Sequence, residues 1–229
     1  MKRLTALLLL LALALALGAC PAPDPTPAPA GGYTLVPSDA ALSSLSCTET
    51  GVTYRRAEFG EYLPGALSQK AYATAKTAAG ATLSFYKIKD AEPEKYLFQA
   101  DADLYPTYLL YEAGLSLPTL SEMAVSDILI CDASAEYFWR DANVIDKIRL
   151  YDRVAAIVTA YESTEKLTER PTGAVVLTAE LIFVSAEYPF DAVLGLEQLE
   201  DGTVLLSSSR GTVAVSANLF DGYLLEWQS

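Results

Sequence analysis

Ala174-Val175-Val176-Leu177-Thr178-Ala179-Glu180-Leu181-Ile182-Phe183-Val184-Ser185 is a β-branched, apolar run, and Ala192–Glu200, Thr203–Ser208 and Thr212–Ser216 continue it as shorter runs. Val, Ile, Phe and Thr suit a pleated, half-buried surface, so these stretches are expected as strands. Glu200-Asp201-Gly202-Thr203 carries the Asp-Gly pair that two-residue hairpins prefer, and Arg210-Gly211 offers a second turn. The C-terminal third therefore predicts a β-meander, followed by a short helix over Ala217–Leu225 capped by Ser216.

Upstream, Asn143–Ser163 is expected to be one long helix. Val144, Ile148, Tyr151, Val154 or Ala155, Val158 and Tyr161 recur at spacings of three and four, with Asp146, Lys147, Arg149, Asp152 and Arg153 largely opposite. Gly51–Phe59, Thr82–Lys89, Lys95–Ala100, Thr107–Glu112 and Ala124–Cys131 read as strands, Ser38–Leu45 as a short capped helix, and Gly65–Gly80 as a short helix or loop. Short polar turns between strands favour antiparallel pairing. The expected fold class is α+β: a mostly antiparallel sheet with one long packed helix and the C-terminal meander.

At the other end of the chain, Met1-Lys2-Arg3 precedes an apolar segment, Leu4–Leu17, that closes on Leu17-Gly18-Ala19-Cys20. A charged start and an apolar stretch of about 14 residues make a secretory signal, too short for the roughly 20 of a membrane-spanning helix. Small residues before the cysteine and a leucine three positions upstream resemble the lipobox of bacterial lipoproteins. The resemblance covers residues 1–20 and implies cleavage before Cys20, with a diacylglycerol on its thiol. Two or more acyl chains hold a protein firmly to a bilayer. The expected organisation is a signal peptide at 1–19, a tether at 20–32 and one α+β domain at 33–229. The expected location is the extracytoplasmic face of the cell membrane. After Cys20 the tether alternates proline through Pro29; extended at ~3.1 Å per residue it would lift the domain roughly 35 Å from the bilayer.

The whole chain carries a formal charge of −13. Loss of residues 1–19 removes Lys2 and Arg3 and no acid, which leaves the mature protein two charges more negative. Such a charge repels nucleic-acid phosphates and anionic lipid head groups, so no nucleic-acid partner is expected and the membrane is engaged through Cys20. Histidine is absent, which rules out an imidazole-based triad and a His-ligated zinc. Cys47 and Cys131 are too few for a four-thiolate metal site. A disulfide between them would close a loop of about 84 residues, although the run Ile128-Leu129-Ile130-Cys131 suits a buried free thiol equally well. No cofactor is implied.

Other motifs resolve into weaker alternatives. Ser163-Thr164-Glu165-Lys166 has the serine–lysine spacing of penicillin-interacting enzymes, but Ser163 falls at the end of its helix instead of the start, and the companion elements Ser216-Ala217-Asn218 and Lys76-Thr77-Ala78 are out of order. Asp101-Ala102-Asp103 has the start of a calcium loop without the glycine and third acid of an EF-hand. Tyr105, Tyr108, Tyr111 and Trp139, the last within Tyr137-Phe138-Trp139 and beside Arg140, are the candidate ligand-binding residues, as a stacking surface for sugar or peptide or as cover for the sheet. Paired carboxylates could cleave glycans without histidine, but no pair stands out among 29 acids. The expected function is a non-catalytic binding or complex-stabilising module of the cell envelope; the alternative is an extracytoplasmic carboxylate-dependent enzyme such as a glycan hydrolase.

Overall fold

Leu97 and Phe98 are adjacent in sequence and both are fully buried, as are Leu109 and Leu110. Because successive side chains of a strand point to opposite faces, both strands must be covered on both sides. The computed structural model, which describes residues 32–101, 103, 105–133 and 143–223, shows how. Cys20, the tether up to residue 31, and Tyr137, Phe138, Trp139 and Arg140 lie outside the described residues.

In chain order the strands are β1 (Tyr33–Pro37), β2 (Ser44–Cys47), β3 (Thr53–Arg56), β4 (Tyr62–Pro64), β5 (Leu67–Lys76), β6 (Thr82–Ile88), β7 (Tyr96–Ala100), β8 (Pro106–Glu112), β9 (Val125–Asp132) and β10 (Val144–Ile148). Helix α1 (Tyr151–Ser163) follows, then β11 (Val175–Ser185), β12 (Phe190–Leu199), β13 (Val204–Ser208), β14 (Gly211–Val215) and a 3₁₀ turn, Ala217–Phe220.

Seven strands close a barrel in the order β1-β2-β3-β8-β7-β6-β5. Its pairs are antiparallel except the closing one, where β1 runs parallel to β5 with Tyr33 opposite Ala73 and Thr34 opposite Thr74. Gly32 enters that seam at φ +77, and a Cβ there would stand 3.0 Å from the Tyr72 carbonyl oxygen, so only glycine fits. A barrel of so few strands has room only for side chains. Leu35, Leu45, Tyr54, Phe85, Leu97 and Leu110 fill it, and the Tyr54 hydroxyl donates to the Pro93 carbonyl at 2.9 Å.

The second sheet runs β10-β9-β11-β12-β13-β14, with β4 pairing β12 beyond the end of β13. Strand β4 thus leaves the barrel, joins the second sheet and returns as β5. Between the two bodies lies the main core, built from Ile88, Phe98 and Leu109 on the outside of the barrel, Ile128, Phe183 and Leu194 on the inner face of the sheet, and Val154, Ile157 and Tyr161 of α1. A smaller cluster, including Leu63, Leu129, Ile182 and Val193, occupies the opposite face of the sheet.

The architecture corrects the α+β expectation: strands make up 49% of the described residues, and a closed barrel plus a second antiparallel sheet replace the single sheet with a long packed helix. The helix is 13 residues, because the first part of the apolar stripe is β10, hydrogen-bonded to β9 with Ile148 opposite Ile128. Val144 and Ile148 satisfy a helical spacing as well as a β-branched strand, and the available edge of β9 decides between them. Tyr151, counted in the stripe, is 79% exposed, while Val154, Ile157, Val158 and Tyr161 carry the burial.

Two further elements differ. Gly65–Gly80 contains the ten-residue strand β5, despite alanines that favour helices, because the barrel interior admits only small groups at Ala73 and Ala75, both buried. Ser38–Leu45 is a turn, in which the Asp39 carboxylate accepts the Ser43 amide at 3.1 Å, running into β2. The meander forms as expected, although Glu200-Asp201-Gly202 makes a three-residue connection with Gly202 at φ +85 and Leu199 donating to the Thr203 carbonyl. Of Ala217–Leu225, residues 217–220 form the 3₁₀ turn, and 224 and 225 lie outside the described residues.

Cys47 and Cys131 are free and buried in separate clusters, inside the barrel and on the outer face of the second sheet. Burial pushes the Cys131 thiol up to about 11, so its reactive thiolate is scarce. A thiol reagent such as Ellman's is therefore expected to label neither cysteine in the native protein at pH 8 and both after denaturation. A single disulfide released only by reductant would contradict this placement.

Candidate functional site

The last turn of α1, the segment after it, the β13–β14 turn, the start of β4 and the turn around Pro118–Leu120 surround a cleft of about 280 Å³. Each wall is tied to the next. Leu167 donates its amide to the Thr212 carbonyl at 2.8 Å, laying the segment after α1 along β14. The Ser209 amide donates to Glu61 Oε1 at 2.8 Å, joining the hairpin turn to the residue before β4. Glu162 accepts the Ser121 amide at 3.1 Å and also the Ser121 hydroxyl, which fastens α1 to the turn that follows Pro118.

Into this frame project two cations. The stem of Lys166 lies on Gly211, where φ is +119 and a Cβ would stand 3.4 Å from the lysine Cβ, Cγ and Cδ. Its Nζ sits 3.7 Å from the centre of the Tyr161 ring. Arg210 donates from Nη2 to the Tyr62 hydroxyl at 3.0 Å, and its backbone amide donates to Ser208 Oγ at 3.0 Å. Ser208 Oγ also shares a 2.8 Å hydrogen bond with the Tyr161 hydroxyl.

Burial, and then Arg210, lower the pKa of Lys166, with Glu162 opposing them. The Tyr62 hydroxyl is pushed up to about 12 by burial, against the pull of Arg210, and Tyr161 is raised by burial against its Ser208 bond and Arg210. Both phenols are thus neutral near pH 7. Among the described residues the ion pairs are Lys95–Glu92, Lys147–Asp127 and Arg170–Glu197, so neither Lys166 nor Arg210 stands within ion-pair distance of a carboxylate, although Glu162 acts on Lys166 from farther off. Pro118, Leu120, Ala192 and Leu194 supply an apolar wall. The arrangement offers positive charge and hydroxyls at one side and apolar surface at the other.

A second hollow of about 370 Å³ is lined by Glu58, Glu61, Glu180 and Ser207–Ser209. Burial pushes the Glu180 carboxyl up to about 7. Between the usual 4.5 and about 7 the folded protein holds a proton that the unfolded chain has released. This stabilisation is fully present below pH 4.5 and is lost as pH rises through 7. Asp39, Glu49, Glu122 and Asp201, held low mainly by hydrogen bonds, act in the opposite sense only at more acid pH. Stability is expected to fall from pH 5 to pH 8 by about 1–2 kcal/mol, allowing for partial solvent screening of Glu180, and Glu180→Gln should flatten that slope in urea titrations at the two pH values.

The residues singled out from sequence are mostly dispersed. Tyr108 packs against the barrel core and Tyr111 against the main core, because three positions along a strand invert the face. Tyr108 meets Phe59 edge-on at 5.5 Å and carries the Arg56 guanidinium at 4.2 Å; Tyr105 lies in the turn before β8. Asp101 Oδ1 accepts the amides of Asp103 and Tyr105, each at 2.9 Å. Ser163 donates back to the Thr159 carbonyl at 2.7 Å, while Lys166 turns into the cleft. Tyr62, Tyr161, Ser208 and Arg210 carry no shared motif, since Tyr62 and Arg210 are 148 positions apart. The one local sign was Tyr161, the last member of the helical stripe.

Among the described residues no helix is long and apolar enough to cross a membrane. The chain matches no protein-family model, no curated protein and no solved structure.

Proposed function

We propose that this protein is a non-catalytic binding module of the bacterial cell envelope, held at the extracytoplasmic face of the membrane by lipid on Cys20 and taking a small ligand in the cleft between α1 and the β13–β14 turn. The observation that carries the reading is Lys166 and Arg210, two cations that form no ion pair among the described residues, facing an apolar wall in a chain of net charge −13. Convergent polar groups in a concave, partly apolar site are the usual form of a ligand pocket. Support for the anchor is Leu17-Gly18-Ala19-Cys20 and the proline-rich tether after it.

Two measurements test this. Cys20→Ala protein should no longer be processed at Cys20 or stay with membranes through a salt wash; continued firm attachment would refute the anchor. A small-molecule extract of the native envelope should raise the melting temperature of the wild type but not of Ser208→Trp, which blocks the cleft; an equal rise in both would refute the site.

A second reading, a carboxylate-dependent hydrolase acting on glycans, is favoured by Glu180, whose raised pKa is what a general acid needs. Glycan hydrolysis by the wild type that disappears in Glu180→Gln would establish it.

A further inference from the structure

We infer that the ligand of this cleft is a small organic carboxylate with an apolar body, an inference that rests on the cleft being a binding site. The sign of the charge follows from what is already satisfied. Glu61 and Glu162, the two acids in the lining, are engaged by N–H donors from Ser209 and Ser121, whereas among the described residues Lys166 and Arg210 form no ion pair, Glu162 acting on Lys166 only from a distance. Each cation disfavours the other, and a bound anion removes that repulsion.

The kind of anion follows from the donors that remain. Phosphate and sulfate sites draw on backbone amides. Here the hairpin amides are spent, Ser209 on Glu61 and Arg210 on Ser208 Oγ. What is left is one guanidinium, of which a single nitrogen is used by the Tyr62 hydroxyl, and one ammonium that lies over the Tyr161 ring and spends one N–H on the Tyr161 carbonyl at 3.5 Å. A planar guanidinium matches the two oxygens of a carboxylate. At about 280 Å³ the cleft is near the lower end for ligand sites, so the body is small, and Pro118, Leu120, Ala192 and Leu194 make its environment apolar.

The test is calorimetric titration of the mature lipidated protein in non-ionic detergent with 3-phenylpropionate, with hexanoate and with the uncharged 3-phenylpropanamide. Both acids should bind saturably, and the amide on the order of 10–100-fold more weakly. Arg210→Gln and Lys166→Gln should each weaken the acids by a similar factor and leave the amide unchanged. The acid–amide comparison is made on wild-type protein and does not depend on how the variants fold.

If the amide binds as tightly as the acids, and only Ser208→Trp abolishes both, the cleft is a binding site but the carboxylate assignment is wrong. If acid binding survives Ser208→Trp, the site itself is wrong. Failure of both acids to bind at about 10 mM also overturns the assignment, and the envelope-extract measurement then decides the binding reading separately.

Discussion

Phe190→Ala is expected to lower the stability of this protein by about 3–5 kcal/mol, a large share of the ~5–15 kcal/mol that holds a typical domain folded. Phe190 is fully buried, and its ring meets Tyr62 at 5.3 Å, Tyr96 at 5.1 Å and Tyr188 at 5.6 Å. Those partners come from β4, from β7 of the barrel and from the residue pair that precedes β12, so one ring joins the barrel to the second sheet. The Tyr62 and Tyr96 contacts are edge-to-face and add to the area the ring buries, while Tyr188 lies tilted against it. The cavity left by alanine would open at a junction of three rigid strands, where collapse is difficult. Phe190→Leu, which keeps much of the volume, should cost about 1–2 kcal/mol. Urea unfolding of both variants provides the measurement. A loss below about 1 kcal/mol for the alanine variant would mean that the barrel and sheet are not held together here. Because Tyr62 lines the cleft and contacts Phe190, the same variant should also weaken ligand binding.

Leu97→Ala and Phe98→Ala, substitutions at neighbouring positions of β7, are both expected to be severe, at about 2–5 and 3–5 kcal/mol respectively. In a sheet with one solvated face, adjacent positions give one large and one small effect, since one side chain of the pair points to water. Here Leu97 belongs to the barrel interior and Phe98 to the core between barrel and sheet, and neither is exposed. Denaturant titration of the two variants discriminates the closed-barrel arrangement from an open sheet. A mild effect at either position would exclude it.

The pattern that makes this strand diagnostic is also why the fold was only partly legible. Alternation and β-branching identified β6, β7, β8, β9 and the meander to within a few residues, because those are properties of a single strand. They did not reveal that Leu97-Phe98 and Leu109-Leu110 serve two cores at once. Strand β5 was missed because alanine at 73 and 75 carries a helical preference, which the crowded barrel interior overrides. Strand β10 was absorbed into the helix because Val144 and Ile148 obey both periodicities, and hydrogen bonding to β9 settles the matter. In the cleft, the spacing of Lys166 from Ser163 does not explain its position, which comes from packing on Tyr161, five residues before it, and on Gly211 in a distant hairpin.

By itself the sequence determined the acidity of the chain, the absence of histidine chemistry, the lipobox-like start and most strand positions. Each of these is written in composition or in residues within one local stretch. Tertiary structure alone decided that β1 meets β5 in parallel to close a barrel, that Cys47 and Cys131 lie in different cores, and that Tyr62, Tyr161, Lys166 and Arg210 share one cleft. The physical reason is range: periodicity records which way a side chain points relative to its own strand, whereas closure and convergence depend on what a distant segment places against that face.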